Sequence, residues 1–141
     1  MSRDSKFDLD IVVLYCRQCV ADEFAPPSSV SGAGFVARFV MIPCSSKVEA
    51  SYVLKILAEG ADGVEVVACP DKKCQFLVGN IRAEKRIGYA RNLLEEIKMG
   101  AERLGMTKGE GLSETQLTDI AEKRAGQIKP LGPNPMKGEN R

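Results

Sequence analysis

Apolar positions fall along this chain as short continuous runs alternating with helical stripes. Leu9 to Tyr15 (LDIVVLY) is β-branched and almost wholly apolar, the pattern of a strand buried on both faces. Residues 20–35 hold one candidate short helix, Val20 to Ala25, which Pro26-Pro27 must end; the Ser-Ser-Val-Ser-Gly-Ala-Gly that follows reads as loop. The stretch is long enough to be a crossover. Phe35 to Ile42 (FVARFVMI) is the second strand pattern, closed by Pro43-Cys44. Ser46 with Glu49 makes a capping box, and Ala50, Val53, Leu54, Leu57, Ala58 and Ala61 recur behind it at helical spacing. Gly60 and Gly63 bracket the turn into a third strand, Val64 to Ala68, so residues 35–69 read as a βαβ unit with parallel strands.

A long helix is expected from about Arg82 to Lys98, with Ala83, Ile87, Ala90, Leu94 and Ile97 as its buried stripe. Glu102 to Thr107 reads as a fourth, weaker strand, interrupted by Gly105. Ser113 with Gln116 caps a last helix carrying Leu117, Ile120, Ala121, Ala125 and Ile128 on one face. The close, KPLGPNPMKGENR, is rich in proline and glycine and reads as an extended tail. The expected architecture is α/β: a small, mainly parallel sheet of about four strands flanked by helices. The domain spans 1–129, followed by the tail 130–141.

Composition narrows the chemistry. The 141 residues are about one domain's worth of chain, and 44% hydrophobic with 28% charged residues is ordinary globular usage. A formal charge of +1, 6% aromatics and no Trp offer neither the basic field nor the stacking platform that nucleic acid requires. No apolar run reaches the roughly 18 residues that span a bilayer, and the start MSRDSKFDLD has no signal-peptide core, so membrane insertion is not expected and a cytoplasmic location is. The chain has no histidine. Ser-His-Asp triads, Cys-His pairs and His-ligated zinc or iron are therefore excluded. No paired carboxylates near the cysteines argue for acid–base catalysis.

Sulfur is what remains. The cysteines are Cys16, Cys19, Cys44, Cys69 and Cys74, spaced as C-x2-C, a lone Cys and C-x4-C. Cys16, Cys44 and Cys69 each fall at the carboxyl end of an expected parallel strand, and Cys19 and Cys74 lie in the loops just beyond two of those ends. All five would converge at the edge where open α/β sheets place their sites. A lone Cys in an apolar strand is ordinarily a core residue; five at strand–loop junctions in a reducing compartment point to a metal, a cluster or thiol redox work. Cys44 also precedes a helix start, whose dipole favours a thiolate, and Arg17, Lys47, Lys72 and Lys73 adjoin the thiols. Thiolates suit zinc and iron–sulfur clusters alike. The spread over three strand ends, rather than two short knuckles, tilts the spacing toward a cluster. A C-x-x-C dithiol at Cys16 and Cys19 is a third reading that leaves three thiols unexplained. Four ligands suffice, and the closely spaced pair Cys16/Cys19 is where a spare thiol is expected.

The runs C-R-Q-C, P-C-S-S-K-V-E, E-G-A-D-G-V, A-C-P-D-K-K-C-Q-F-L-V-G-N, A-E-K-R-I and L-G-P-N-P together resemble the delta subunit of methyl-viologen-reducing hydrogenase, over about residues 9–135. The resemblance implies one [2Fe-2S] cluster held by cysteines, with all five candidate positions filled here. It also implies electron transfer between a hydrogenase, formate dehydrogenase or other oxidoreductase subunit and a heterodisulfide reductase A-like flavoprotein subunit, as in flavin-based electron bifurcation. Where the family commonly has C-H-x-G-x-C-H-Y, this chain has Pro70 and Gln75 in place of the histidines. Gln18 stands in place of an aromatic at the first pair, and the stretch around 105–112 is shorter than usual. Thiolate ligation is unaffected, whereas hydrogen bonding around a cluster would differ.

The remaining features read plainly. Gly79-Asn80 could bind an anion at a helix start, but no G-x-G-x-x-G or G-x-x-x-x-G-K-[ST] accompanies it, and a turn with an Asn cap is expected. Arg82, Lys85 and Arg86 read as a solvated helix face with the option of meeting an acidic partner, and Asp71 with Lys72-Lys73 keeps the last cysteine loop at the surface.

Overall fold

The computed structural model describes residues 9–16, 29–32, 34–42, 50–68, 79–109, 112–132 and 134, with the backbone alone at 16 and 79–83. Five strands form one sheet: β1 (Leu9–Cys16), β2 (Ser29–Gly32), β3 (Phe35–Ile42), β4 (Gly63–Ala68) and β5 (Leu104–Lys108), in the order β2-β3-β1-β4-β5. Three helices accompany them: α1 (Ala50–Ala58), α2 (Gly79–Glu96) and α3 (Glu114–Ile128). β1 pairs in parallel with β3 and β4, and β5 extends the parallel set beside β4. The expected βαβ unit is present with one refinement. Its two strands are parallel but not adjacent, because β1 lies between them.

β1 explains why the sheet is central. Its Leu9, Ile11, Val13 and Tyr15 pack toward Leu117, Ala121, Ala125 and Ile128 of α3, while Val12 and Leu14 pack toward Val53, Leu57, Ile87, Ala90 and Leu94 of α1 and α2. A strand buried on both faces must be apolar at every position rather than at alternate ones, which is the pattern Leu9 to Tyr15 shows. Both helical crossovers, β3 to β4 and β4 to β5, advance the same way across the sheet with their helices on one face. A single handedness of crossover demands this arrangement.

Four expectations change. The sheet has five strands, not about four: β2 lies within the stretch read as loop and pairs antiparallel with β3, Gly32 opposite Phe35. Only Val30 of its four residues is apolar, so the edge of β3 rather than its own pattern makes it a strand. Gly34, at φ 84, is a left-handed residue directly before β3, a conformation that glycine adopts without strain. Second, α2 starts at Gly79, so Gly79-Asn80 belongs to its first turn rather than to a turn before it. Third, Ile97 is 61% exposed instead of buried. The chain reverses at Lys98, which has φ 65, and Met99 folds back with its N–H on the Leu94 carbonyl, taking the packing position Ile97 was expected to fill. Fourth, the segment expected to be a tail is docked at its start. Lys129–Leu131 forms a 3-10 turn, and Asn134 is buried.

The Ser113 cap is as expected: its hydroxyl accepts from the Gln116 N–H while the Gln116 side chain accepts from the Ser113 N–H. The Val20 to Ala25 helix and the Ser46/Glu49 box lie outside the described residues. Among the described residues no helix is long and apolar enough to cross a membrane. Gly126 sits in α3 with nothing within 4 Å of an added Cβ. Gly126→Ala is expected to stabilise the fold by about 0.4–1 kcal/mol, read as a higher urea midpoint at unchanged m-value.

Candidate metal centre

In chain order the four parallel strands are β1, β3, β4 and β5, and in space the second lies to one side of the first and the third to the other. The strand order therefore reverses direction between β1 and β4, which makes the carboxyl edge there the topological switch point of the sheet. In open α/β sheets this switch point is where ligands sit. Cys16 is the last residue of β1 and is level with Ile42, the last residue of β3. Tyr15 is level with Val67, one residue before the end of β4. Neighbouring strands are about 4.8 Å apart, so the ends of β3, β1 and β4 fall within about 10 Å of one another.

Of the candidate site residues, the backbone of Cys16 is described. Cys19, Cys44, Cys69 and Cys74 lie outside the described residues, as do Arg17, Lys47, Asp71, Lys72 and Lys73. Among the described residues no group of three or more His, Cys, Asp or Glu is placed to hold a metal ion. The convergence visible in the structure is that of strand ends. In sequence Cys44 stands two residues beyond Ile42 and Cys69 directly follows Ala68. The Ala68 carbonyl accepts from the Gly109 N–H at 2.9 Å, which ties the end of β4 to the exit of β5. Lys108, level with Ala68, bonds Glu84 of α2 at 3.2 Å. Burial raises the Tyr15 phenol above its ordinary pKa, so it stays neutral beside the edge.

Two buried polar groupings escaped the sequence reading. At the amino edge the fully buried Asp62 receives the Asp10 N–H on Oδ2 and the Asn134 N–H on Oδ1, both at 2.7 Å. The Asn134 amide donates to the carbonyls of Leu57 at 2.7 Å and Ala61 at 2.6 Å. Arg103, 1% exposed, donates to the Met99, Asp62 and Gly132 carbonyls. Burial lowers the pKa of its guanidinium, and the Asp62 charge partly offsets that. The sequence signal was thin: Asn134 lies in the L-G-P-N-P close that carried part of the resemblance. Inside the sheet, Glu65 of β4 accepts from Arg124 Nε at 2.7 Å and from the Thr107 hydroxyl.

The strand order defines the class: an open, mostly parallel α/β domain with a topological switch point between β1 and β4. The chain belongs to the methyl-viologen-reducing hydrogenase delta subunit family, whose model matches residues 11–132. It is 34% identical over 100 residues to the iron-sulfur D-subunit of the vhu F420-non-reducing hydrogenase of Methanococcus maripaludis, covering 71% of this chain and 75% of that protein. The protein of the same name from Methanococcus voltae is 30% identical over 129 residues, or 90% of this chain and 96% of its own. A third similarity is of a different kind. The A-subunit of the Ferredoxin:CoB-CoM heterodisulfide reductase of Methanosarcina mazei is 32% identical over 100 residues, which are 67% of this chain but 12% of that longer protein.

Proposed function

We propose that this chain is an electron-transfer subunit carrying one [2Fe-2S] cluster on four of Cys16, Cys19, Cys44, Cys69 and Cys74. The observation that carries the reading is the adjacency of the β3, β1 and β4 ends, with every cysteine in or shortly after one of them. Consecutive Cα atoms are about 3.8 Å apart, so chain connectivity keeps Cys44 and Cys69 close to Ile42 and Ala68. The donor set fits: thiolates without histidine suit a [2Fe-2S] centre, and four of five are enough. Such a cluster supplies reversible one-electron storage. The chain's part is to hold the thiolates on rigid strand ends and to present the edge to a partner.

The partners we propose are a hydrogenase, formate dehydrogenase or other oxidoreductase subunit on one side and a heterodisulfide reductase A-like flavoprotein subunit on the other. The names of the similar hydrogenase proteins support the first. The second is supported by the stretch of similar sequence inside the A-subunit of a heterodisulfide reductase, since a domain fused to a protein in one organism is a natural neighbour of it in another. Work in the cytoplasm fits cysteines used as cluster ligands rather than in disulfides.

Anaerobic purification followed by visible absorption, EPR and metal analysis tests the reading. We expect a coloured protein with iron and acid-labile sulfide in equal amounts. A colourless protein with one zinc and no sulfide would make the chain a zinc-stabilised adaptor. Five freely alkylated thiols with no bound metal would make it a dithiol redox protein.

A further inference from the structure

Helix α2 leads into two apolar stripes. Ile87, Ala90 and Leu94 pack toward the sheet and are buried. Tyr89, Leu93 and Ile97 recur four residues apart on a second side, where Tyr89 and Ile97 are each 61% exposed. A surface helix ordinarily shows one apolar stripe and a polar face, so a second stripe calls for a second surface to bury it. This stripe borders a groove of about 270 Å³ between α1 and α2. Leu57 and Leu94 form the floor, Leu54 and Ala58 of α1 one wall, and Leu93 and Ile97 the other; every residue lining it is apolar.

A hollow and a projecting isoleucine thus lie side by side on one face. We propose that this face is the interface of a weak two-fold homodimer in which Ile97 of each copy fills the groove of the other. A two-fold contact requires a patch that complements itself, and a hollow beside a projection does so. Charge fits as well. α1 and α2 run in the same direction, from the carboxyl edge to the amino edge, because each links the end of one parallel strand to the start of the next. A two-fold axis along the groove therefore sets α1 of one copy over α2 of the other in the same direction. Lys55, one turn before Ala58, then faces Glu96, next to Ile97, of the second copy, and both residues are exposed. A rim of a single sign would instead repel a copy of itself. The patch covers about three turns of two neighbouring helices, roughly 16 by 20 Å, which places the dimer in the weak class. Pairing toward the amino edge leaves the carboxyl edge open, so the proposal does not depend on what that edge holds.

Sedimentation velocity of the anaerobically purified full chain tests this, over concentrations from about 5 µM to about 1 mM, where an interface of this size associates. The expected result is an average mass that rises with concentration toward that of two chains. Ile97→Glu, at a position too exposed to hold the fold together, is expected to raise the dissociation constant about tenfold or more with circular dichroism unchanged. Lys55→Glu should also raise it, and Lys55→Glu with Glu96→Lys should return it to within about twofold of the parent. Tyr52→Glu, 41% exposed on the other flank of α1 beside Arg38 and Val40, should leave it within about twofold as well. If Ile97→Glu perturbs the fold, Ile97→Ser reads the same contact without an added charge. A monomer throughout the range overturns the proposal. So does a dimer that Ile97→Glu leaves intact or that Tyr52→Glu dissolves, since the contact then lies elsewhere. A double charge variant as weak as Lys55→Glu alone overturns it too, because α1 of one copy then does not face α2 of the other.

Discussion

Serine in place of Cys44 or Cys69 is expected to abolish the cluster spectrum and the bound iron if the proposed centre is present, because in sequence each of these cysteines closely follows the end of a strand beside β1. Cys74→Ser should do the same. Of Cys16→Ser and Cys19→Ser, one should lose the spectrum and the other keep it, since a four-thiolate centre leaves one of the five cysteines spare and the proposed reading puts it in this pair. Iron and sulfide per chain, with absorption and EPR on each anaerobically purified variant, check the set. Spectra lost at both Cys16 and Cys19 but retained at Cys44 and Cys69 would show that the centre is not built across the strand ends. Ligand loss acts on the cofactor rather than on the core. The helices packed on both faces should therefore keep most of their circular dichroism signal.

The second large effect lies at the opposite edge. Arg103→Met removes the side chain that donates to the Met99, Asp62 and Gly132 carbonyls and the positive charge that interacts with the buried Asp62. Breaking a buried charged network by removing one member costs about 3–5 kcal/mol. A domain of this size has about 5–15 kcal/mol in all, so the variant should sit close to unfolding at room temperature. Asn134→Ala removes the amide that donates to Leu57 in the last turn of α1 and to Ala61 beyond it, and should cost about 1–3 kcal/mol. The control is Arg38→Ala. The Arg38–Asp10 pair has good geometry, at 2.9 and 3.0 Å, but its guanidinium side chain is 52% exposed, so its loss should cost about 1 kcal/mol or less. Urea unfolding of the three variants gives the ranking. An Arg103→Met no less stable than Arg38→Ala would mean that the docked segment 131–134 is not held by this network.

The Arg103 result also bears on how the chain closes. After α3 the chain makes the 3-10 turn, beyond which the Gly132 carbonyl accepts from Arg103, just before β5, and the Asn134 N–H donates to Asp62, just before β4. Pro130 and Gly132 suit this path as well as they would suit an unpacked tail. Proline fits the first positions of a short turn, and Gly132 takes φ 77 to leave it. A proline- and glycine-rich composition therefore described the backbone geometry correctly while hiding the fact that the segment is packed.

Local pattern alone determined a great deal of this protein. The apolar run at 9–15, the strand at 35–42, the stripe on α3 and its Ser113 cap are all short-range signals, each readable within one element. The absence of histidine, and the place of each cysteine in or after an expected strand, were equally legible, because composition and spacing need no third dimension. Tertiary structure decided which strands are neighbours. The insertion of β1 between β3 and β4, which brings three strand ends to one switch point, follows from how the crossovers bury both faces of β1, and no window of sequence contains that choice. It also made a strand of Ser29–Gly32, which has one apolar residue but a free edge of β3 to pair with. It turned Ile97 outward by reversing the chain at Lys98. Asp62 meets Arg103 and Asn134 across 41 and 72 residues of sequence, and Glu65 meets Arg124 across 59. Such contacts carry no periodicity: a buried polar group must be satisfied by whatever partner the fold delivers to it, and that partner is known only when the chain has packed.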